Sequence, residues 1–235
     1  MKQKKSKFSG DLLTFLLVAA VYAVVAYLLY GGSLTRQFSN MLIPISVYIV
    51  LAVSLNLVVG LLGELSLGHA GFMSVGLFSG CLLSIALVDV LPMPVRLPLS
   101  MLAGGLVAAL FGLVVGLPAL RLKGDYLAIV TLACGEIIKN IITNLKFTGG
   151  ALGLNTNPIY SNAKKLLPYA IVLVLLTVLV MMNLKRSKQG RAIMAIRDNR
   201  IAAESVGIDV TRYKLTVFTI AAFFAGAAGT LYGHF

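Results

Sequence analysis

Residues 41–88 read "MLIPISVYIVLAVSLNLVVGLLGELSLGHAGFMSVGLFSGCLLSIALV", and the number of times this stretch crosses a membrane decides the fold. As one helix its 48 residues would extend about 72 Å at 1.5 Å per residue. A bilayer's hydrocarbon core is about 30 Å thick, so the stretch makes two crossings with roughly 12 Å to spare. The spare length falls on "GELSLGHAGF", Gly63 to Phe72. This piece carries a carboxylate (Glu64), a hydroxyl (Ser66), an imidazole (His69) and the glycines Gly63, Gly68 and Gly71. Ionisable groups are expensive at the bilayer centre and cheaper near its boundary. Glycine allows the backbone freedom and close approach a turn needs, and Ser66 is a candidate cap for the next helix. Two readings stand. One is a capped hairpin with a boundary acid and a hydrogen-bonded histidine. The other is a broken or re-entrant element near 63–71 lining the inner end of a pore, where irregular backbone is tolerated.

The rest of the chain agrees with lipid as solvent. Hydrophobic residues make up 59% of the 235 and charged residues 12%, whereas soluble domains carry about 25% charged. Seven stretches are long and apolar enough, or nearly so, to span: Leu12–Tyr30, Met41–Leu62, Phe72–Val88, Leu99–Leu117, Tyr126–Leu145, Leu166–Leu184 and Leu215–Phe235. Pro92, Pro94 and Pro98 forbid a continuous helix between the third and fourth. The apolar run of the first is too long for a signal peptide's core. The expected fold is an all-α polytopic helical bundle of about seven transmembrane helices, forming one membrane domain over residues 1–235.

Charge sets the orientation. With the N-terminus in the cytoplasm, 14 of the 20 lysines and arginines fall in cytoplasmic segments, as the positive-inside bias requires. Eight of them lie in the loop 185–214. The net charge of +12 thus reads as topology, with no need of nucleic acid. Cys81 and Cys134 both sit in apolar runs and give neither a disulfide framework nor a metal spacing. Two histidines and no nucleophile–base motif leave catalysis without support. No cofactor and no metal is expected.

In the loop 185–214, Ala192, Ala195, Ile196, Ala203 and Val206 share a helical face, and Gly207 is a plausible stop. The spacing predicts a short amphipathic helix at the membrane surface. It could lie against anionic lipid, or dock a partner whose backbone approaches the small alanines.

Three blocks carry a family resemblance: "LNLVVGLLGELSLGHAGFMSVG", "RLKGDYLAIVTLACGEIIKNIITN" with "TGGALGLN", and "GRAIMAIRDNRIAAESVGIDVTRYKL". In this order they resemble the permease subunits of branched-chain amino acid ABC importers, a family that includes urea-type permeases. The resemblance implies a subunit of the bacterial inner membrane that moves branched-chain or other apolar amino acids. It would work with a companion permease, ATP-binding subunits that hydrolyse the nucleotide, and an external substrate-binding protein. It also implies that Ala202, Ala203 and Gly207 match the Glu-Ala-Ala-x-x-x-Gly pattern that such importers insert into the ATP-binding subunit. Ile201 stands where that pattern has glutamate, Glu204 falls in the spacer, and Arg197 and Asp198 lead into it. Relatives continue past "AGTLYGHF" with more membrane helices, so the chain reads as a fragment or a short member.

Candidates for the substrate path are Glu64, Ser66, His69, Glu136 and Asn140. Glu136 and Lys139 are spaced to pair on one helix face, with Asn140 and Asn144 beside them. The segment "TGGALGLNTNP", with Gly149, Gly150 and Gly153, follows no strand and lacks a phosphate loop's lysine. It is expected outside, as a loop or as part of the surface meeting the binding protein. The competing functions are a permease for urea or short amides, and an ion-coupled carrier with Glu64, His69 and Glu136 as a proton relay.

Overall fold

A computed structural model describes residues 2–32, 35–120, 122 and 124–235. The secondary structure among them is helical throughout. The long helices are α1 (Lys2–Tyr30), α2 (Arg36–Asn56), α3 (His69–Ala86), α4 (Met93–Ala119), α5 (Asp125–Asn144) and α6 (Ala163–Arg186). Two short helices, α7 (Lys188–Asp198) and α8 (Arg200–Ser205), precede the long α9 (Val210–Gly233). Six helical segments are long and apolar enough to cross a membrane, and the apolar helix Phe15–Tyr30 is shorter. The chain is therefore a multi-pass helical membrane protein. Arg121 and Lys123, counted above as cytoplasmic charges, lie outside the described residues.

The centre of the bundle is α9. Its apolar window is 67% buried, against 28–44% for the other five spans. The reason is its composition, because "AAFFAGAAG" leaves a surface on which two helices can lie at backbone contact. A methyl group added at Gly76 of α3 would strike the Gly226 backbone, and one at Gly104 of α4 would strike the Thr230 side chain. Thr230 Oγ1 donates to the Gly76 carbonyl at 2.8 Å, so the tightest crossing also carries a hydrogen bond. On the other flank of α9, residues of α1, α2, α4 and α6 form a second apolar cluster around Ile43, Val47, Leu97 and Leu166. Tyr22 OH donates to Ser46 Oγ there at 3.1 Å and ties α1 to α2.

Contacts sort the connections between two ends. At one end Tyr30 OH donates to the Lys164 carbonyl at 3.0 Å. At that same end Ser161 N–H donates to the His234 carbonyl at 2.9 Å, and the Ser161 hydroxyl reaches Met93 Sδ at 3.7 Å. At the opposite end α7 meets the segment after α2, and α8 packs on α7 and α9. This is the alternation expected of six spans preceded by the shorter apolar helix Phe15–Tyr30.

Two expectations change. The fourth helix begins at Met93 rather than Leu99. Pro92 caps it and Pro94 stands in its first turn, where a missing N–H costs nothing. Arg96 is thereby buried in that helix. The loop 185–214 does not form one amphipathic helix. Asn199 takes an extended conformation, and its side-chain oxygen accepts the Ala202 N–H at 3.1 Å, starting a second helix. The break rotates the expected face: Ile193, Ile196 and Ala203 are buried, while Ala195 and Val206 are exposed.

Candidate functional site

The sequence motif of residues 63–72 and the loop 185–214 meet at one end of the bundle. Regular helix in α2 stops at Asn56, and Leu57–Leu62 form a wider π-helical turn. The Asn56 side chain lies against Gly60, where a Cβ would collide with its amide. Gly63 closes the turn with φ +78°, a left-handed conformation that favours glycine. Residues 63–68 then run without helix until α3 starts at His69. π-Turns of this kind concentrate at functional sites. The break is thus real, and it lies against α5: Leu67 N–H donates to Thr131 Oγ1 at 3.0 Å.

Glu64 and His69 of the break find partners, and Ser66 does not. Glu64 pairs with Lys214, near the start of α9, through its Oε1. Both are largely buried, with side chains 15% and 3% exposed, so water screens the pair little. Glu64 Oε2 has no hydrogen-bond partner among the described residues. His69 Nε2 lies 2.8 Å from Ser54 Oγ, so the histidine bonds back to α2. Ser66 is buried, and its hydroxyl has no hydrogen-bond partner among the described residues. It does not cap α3: Gly68 holds that position, and no side chain there makes a capping bond.

Above the break lies the surface loop. Ser187 caps α7 by accepting the Gly190 N–H at 3.0 Å. Arg197, near the end of α7, lays its stem over Gly63 and donates from Nη1 to the Gly60 carbonyl at 3.1 Å. That carbonyl belongs to the π-turn, which leaves acceptors free of regular helical bonding. Asp198 accepts from Arg197 at 3.0 Å. The short α8 ends in a pair of bonds, Ile208 N–H to the Ala203 carbonyl at 3.1 Å and Gly207 N–H to the Glu204 carbonyl at 3.0 Å. Such a stop requires a left-handed residue, and Gly207 has φ +83°. Asp209 then caps α9 through the Arg212 N–H at 3.0 Å.

Of the residues expected to couple, Ala203 faces inward and is buried. Asp198, Ala202, Glu204 and Gly207 are exposed. Glu204 pairs with Arg200 one turn earlier at 2.9 Å, which gives it a local partner. Sequence reasoning missed Lys214 as the partner of Glu64, because 150 residues separate them. It also missed the exposure of Ile201 (79%) and Val206 (74%), which makes an apolar face around Ala202.

The path candidates divide. Glu64, Ser66 and His69 gather at the break, whereas Glu136 and Asn140 lie exposed on α5. Lys139 Nζ reaches Glu136 Oε2 at 3.3 Å, as the spacing predicted. Among the described residues no hydrogen bond joins Glu64, His69 and Glu136, and each has a different partner. Gly149, Gly150 and Gly153 follow the far end of α5, and all three have positive φ. Among the described residues no cluster of three metal-ligating side chains occurs.

The profile of a family described as "Branched-chain amino acid transport system / permease component" matches residues 37–235. The chain is 37% identical to the high-affinity branched-chain amino acid transport system permease protein LivM of Salmonella typhimurium, over 93% of this chain and 56% of that protein. It is 37% identical to the protein of the same description from Escherichia coli, over 79% of this chain and 50% of that one. A probable branched-chain amino acid transport permease protein LivM of Methanocaldococcus jannaschii is 30% identical over 54% of this chain. The chain spans about half the length of the two bacterial relatives. No solved structure matches.

Proposed function

The chain belongs to the family of branched-chain amino acid transport permeases, and from that membership we propose that it is a non-enzymatic permease subunit of an ATP-driven importer in the bacterial inner membrane. Its 235 residues act as one membrane domain, with the N-terminus and the loop 185–214 in the cytoplasm. The cargo is a branched-chain or other apolar amino acid. ATP is hydrolysed by partner subunits, a companion permease completes the pore, and an external binding protein delivers the cargo near Gly149–Gly153.

The observation that carries this reading is the stacking of loop on break. The outer face of α8 offers Ile201, Ala202, Val206 and Gly207 to a partner, while α7 behind it is bonded to the π-turn through Arg197. A push on α8 is therefore delivered to a segment of irregular backbone beside the buried Glu64–Lys214 pair. That segment can change shape without breaking a regular helix. The proton-relay alternative gains nothing here, because its three groups are bonded to separate partners.

The test uses the complete complex in proteoliposomes. Uptake should require ATP in the cytoplasmic compartment, and Gly207→Arg should abolish it while the subunit still inserts in the membrane. Uptake driven by a proton gradient without ATP-binding subunits would defeat the proposal, as would full ATP-driven uptake by the Gly207→Arg variant.

A further inference from the structure

A cleft of about 540 Å³ opens where the end of α2 and the π-turn face α6 and α7. The polar residues that line it are Asn56, Lys185 and Arg197, and its apolar wall includes Val53, Val178 and Met181. Among the described residues no Asp or Glu lines it. Asp198 takes one side of the Arg197 fork from outside the cleft. Lys185 has no hydrogen bond or ion pair among the described residues. Two cations and one adjacent carboxylate leave one net positive charge on a pocket that is otherwise greasy.

We propose that this cleft binds one anionic phospholipid, with the phosphate on Lys185 and Arg197 and the start of an acyl chain along Val53, Val178 and Met181. The depth is right for a headgroup. At 24 residues α6 is about 36 Å long, and Lys185 stands in its last turn, just beyond an apolar run that crosses about 30 Å of hydrocarbon. Basic pockets between membrane helices at the cytoplasmic face suit anionic headgroups. A free amino acid suits the cleft poorly, because its ammonium group would find no carboxylate. A phosphodiester with one negative charge matches both the net charge and the apolar wall. The site also touches the coupling path, since Arg197 serves the cleft and the Gly60 carbonyl together. Its placement in the cytoplasmic leaflet rests on the orientation proposed above.

The test takes the complete complex in nanodiscs of phosphatidylcholine with a minor share of phosphatidylglycerol, followed by native mass spectrometry after release into detergent. The intact complex should retain phosphatidylglycerol in preference to phosphatidylcholine. Lys185→Gln should lower that retention about fivefold, the loss expected for one cation near an anionic surface. Lys185→Arg should keep it, and Val178→Trp, which fills the apolar wall, should release it. Equal retention by Lys185→Gln, equal retention of phosphatidylcholine, or displacement of the lipid by an equal concentration of glycerol phosphate would each overturn the proposal. Lipid retention is read without transport. A complex that holds phosphatidylglycerol and imports nothing would refute the transport reading and leave the cleft assignment standing.

Discussion

A methyl group at Gly76 would run into the backbone of Gly226, whereas one at Gly207 would meet nothing within 4 Å. Yet both positions need glycine. Gly76 lies where α3 crosses α9, a close contact built from small residues and one Thr230 hydrogen bond. Gly207 lies at the stop of α8, where φ is +83° and the surroundings are open. The bundle's centre is thus held by shape, and the end carrying α7 and α8 is held by caps, turns and charge. Lipid favours the first arrangement because helices there gain from close packing. The second belongs where water and protein partners can satisfy polar groups. Substitutions can separate these two modes.

The largest effect is expected at the charged end. Lys214→Met leaves the Glu64 carboxylate buried without its cation, and breaking one side of a buried pair costs about 3–5 kcal/mol. The thermal midpoint of the purified protein in detergent should fall steeply. Adding Glu64→Gln should recover most of the loss, because the uncompensated charge is then gone. A Lys214→Met protein that melts with the wild type would mean that the pair does not hold α9 to the break.

Next come the two glycines. Gly76→Val overfills the α3–α9 contact and should cost about 1–3 kcal/mol or more. Gly207→Ala has room for its methyl group but not for its backbone angle, at about 1–2 kcal/mol. Asparagine sharpens the contrast, since it tolerates the left-handed conformation. Gly207→Asn should melt close to wild type and Gly76→Asn should not. If asparagine behaves alike at both sites, the distinction between shape and conformation fails.

Arg197→Ala should have a smaller effect, about 1 kcal/mol, because the side chain is partly exposed and water replaces much of its bonding. Its signature is local. Hydrogen exchange at the amides of residues 57–64 should accelerate while those of α9 keep their protection. Uniform acceleration would show that Arg197 supports the whole bundle rather than the π-turn.

Much of this architecture was legible in the chain, for reasons that differ by region. The spans were readable because 17–25 apolar residues have few uses other than crossing lipid, and the two-crossing arithmetic of residues 41–88 located the break. Prolines misled by nearly two turns: Pro94 in the first turn of α4 looks like a breaker and acts as a starter, and Pro98 is carried inside the helix. In the surface loop, periodicity treated Asn199 as one more polar residue. Its side chain instead competes for backbone N–H groups, which ends one helix and begins another. Most opaque was the pairing of Glu64 with Lys214. Both residues were visible, but only the course of α9 back past the break brings them together. The glycines within the spans pack against neighbouring backbone, as at Gly104 and Gly226, while Gly63 and Gly207 serve turns with positive φ.

Ser66 gives the smallest expected effect and the closest test of how the break is built. A serine two residues before the Gly68 cap position invites the reading that it starts α3, in which case Ser66→Ala would remove a capping bond worth about 1 kcal/mol. The hydroxyl is buried and makes no hydrogen bond among the described residues. Deleting an unpartnered buried polar group removes a desolvation penalty and no interaction. Ser66→Ala should therefore melt at or slightly above the wild-type temperature. The same variant then isolates function from stability. If uptake by the complete complex falls while the thermal midpoint holds, the unpartnered hydroxyl is a group reserved for the moving break or its cargo. If uptake is also unchanged, the break works through its backbone and the Glu64–Lys214 pair alone.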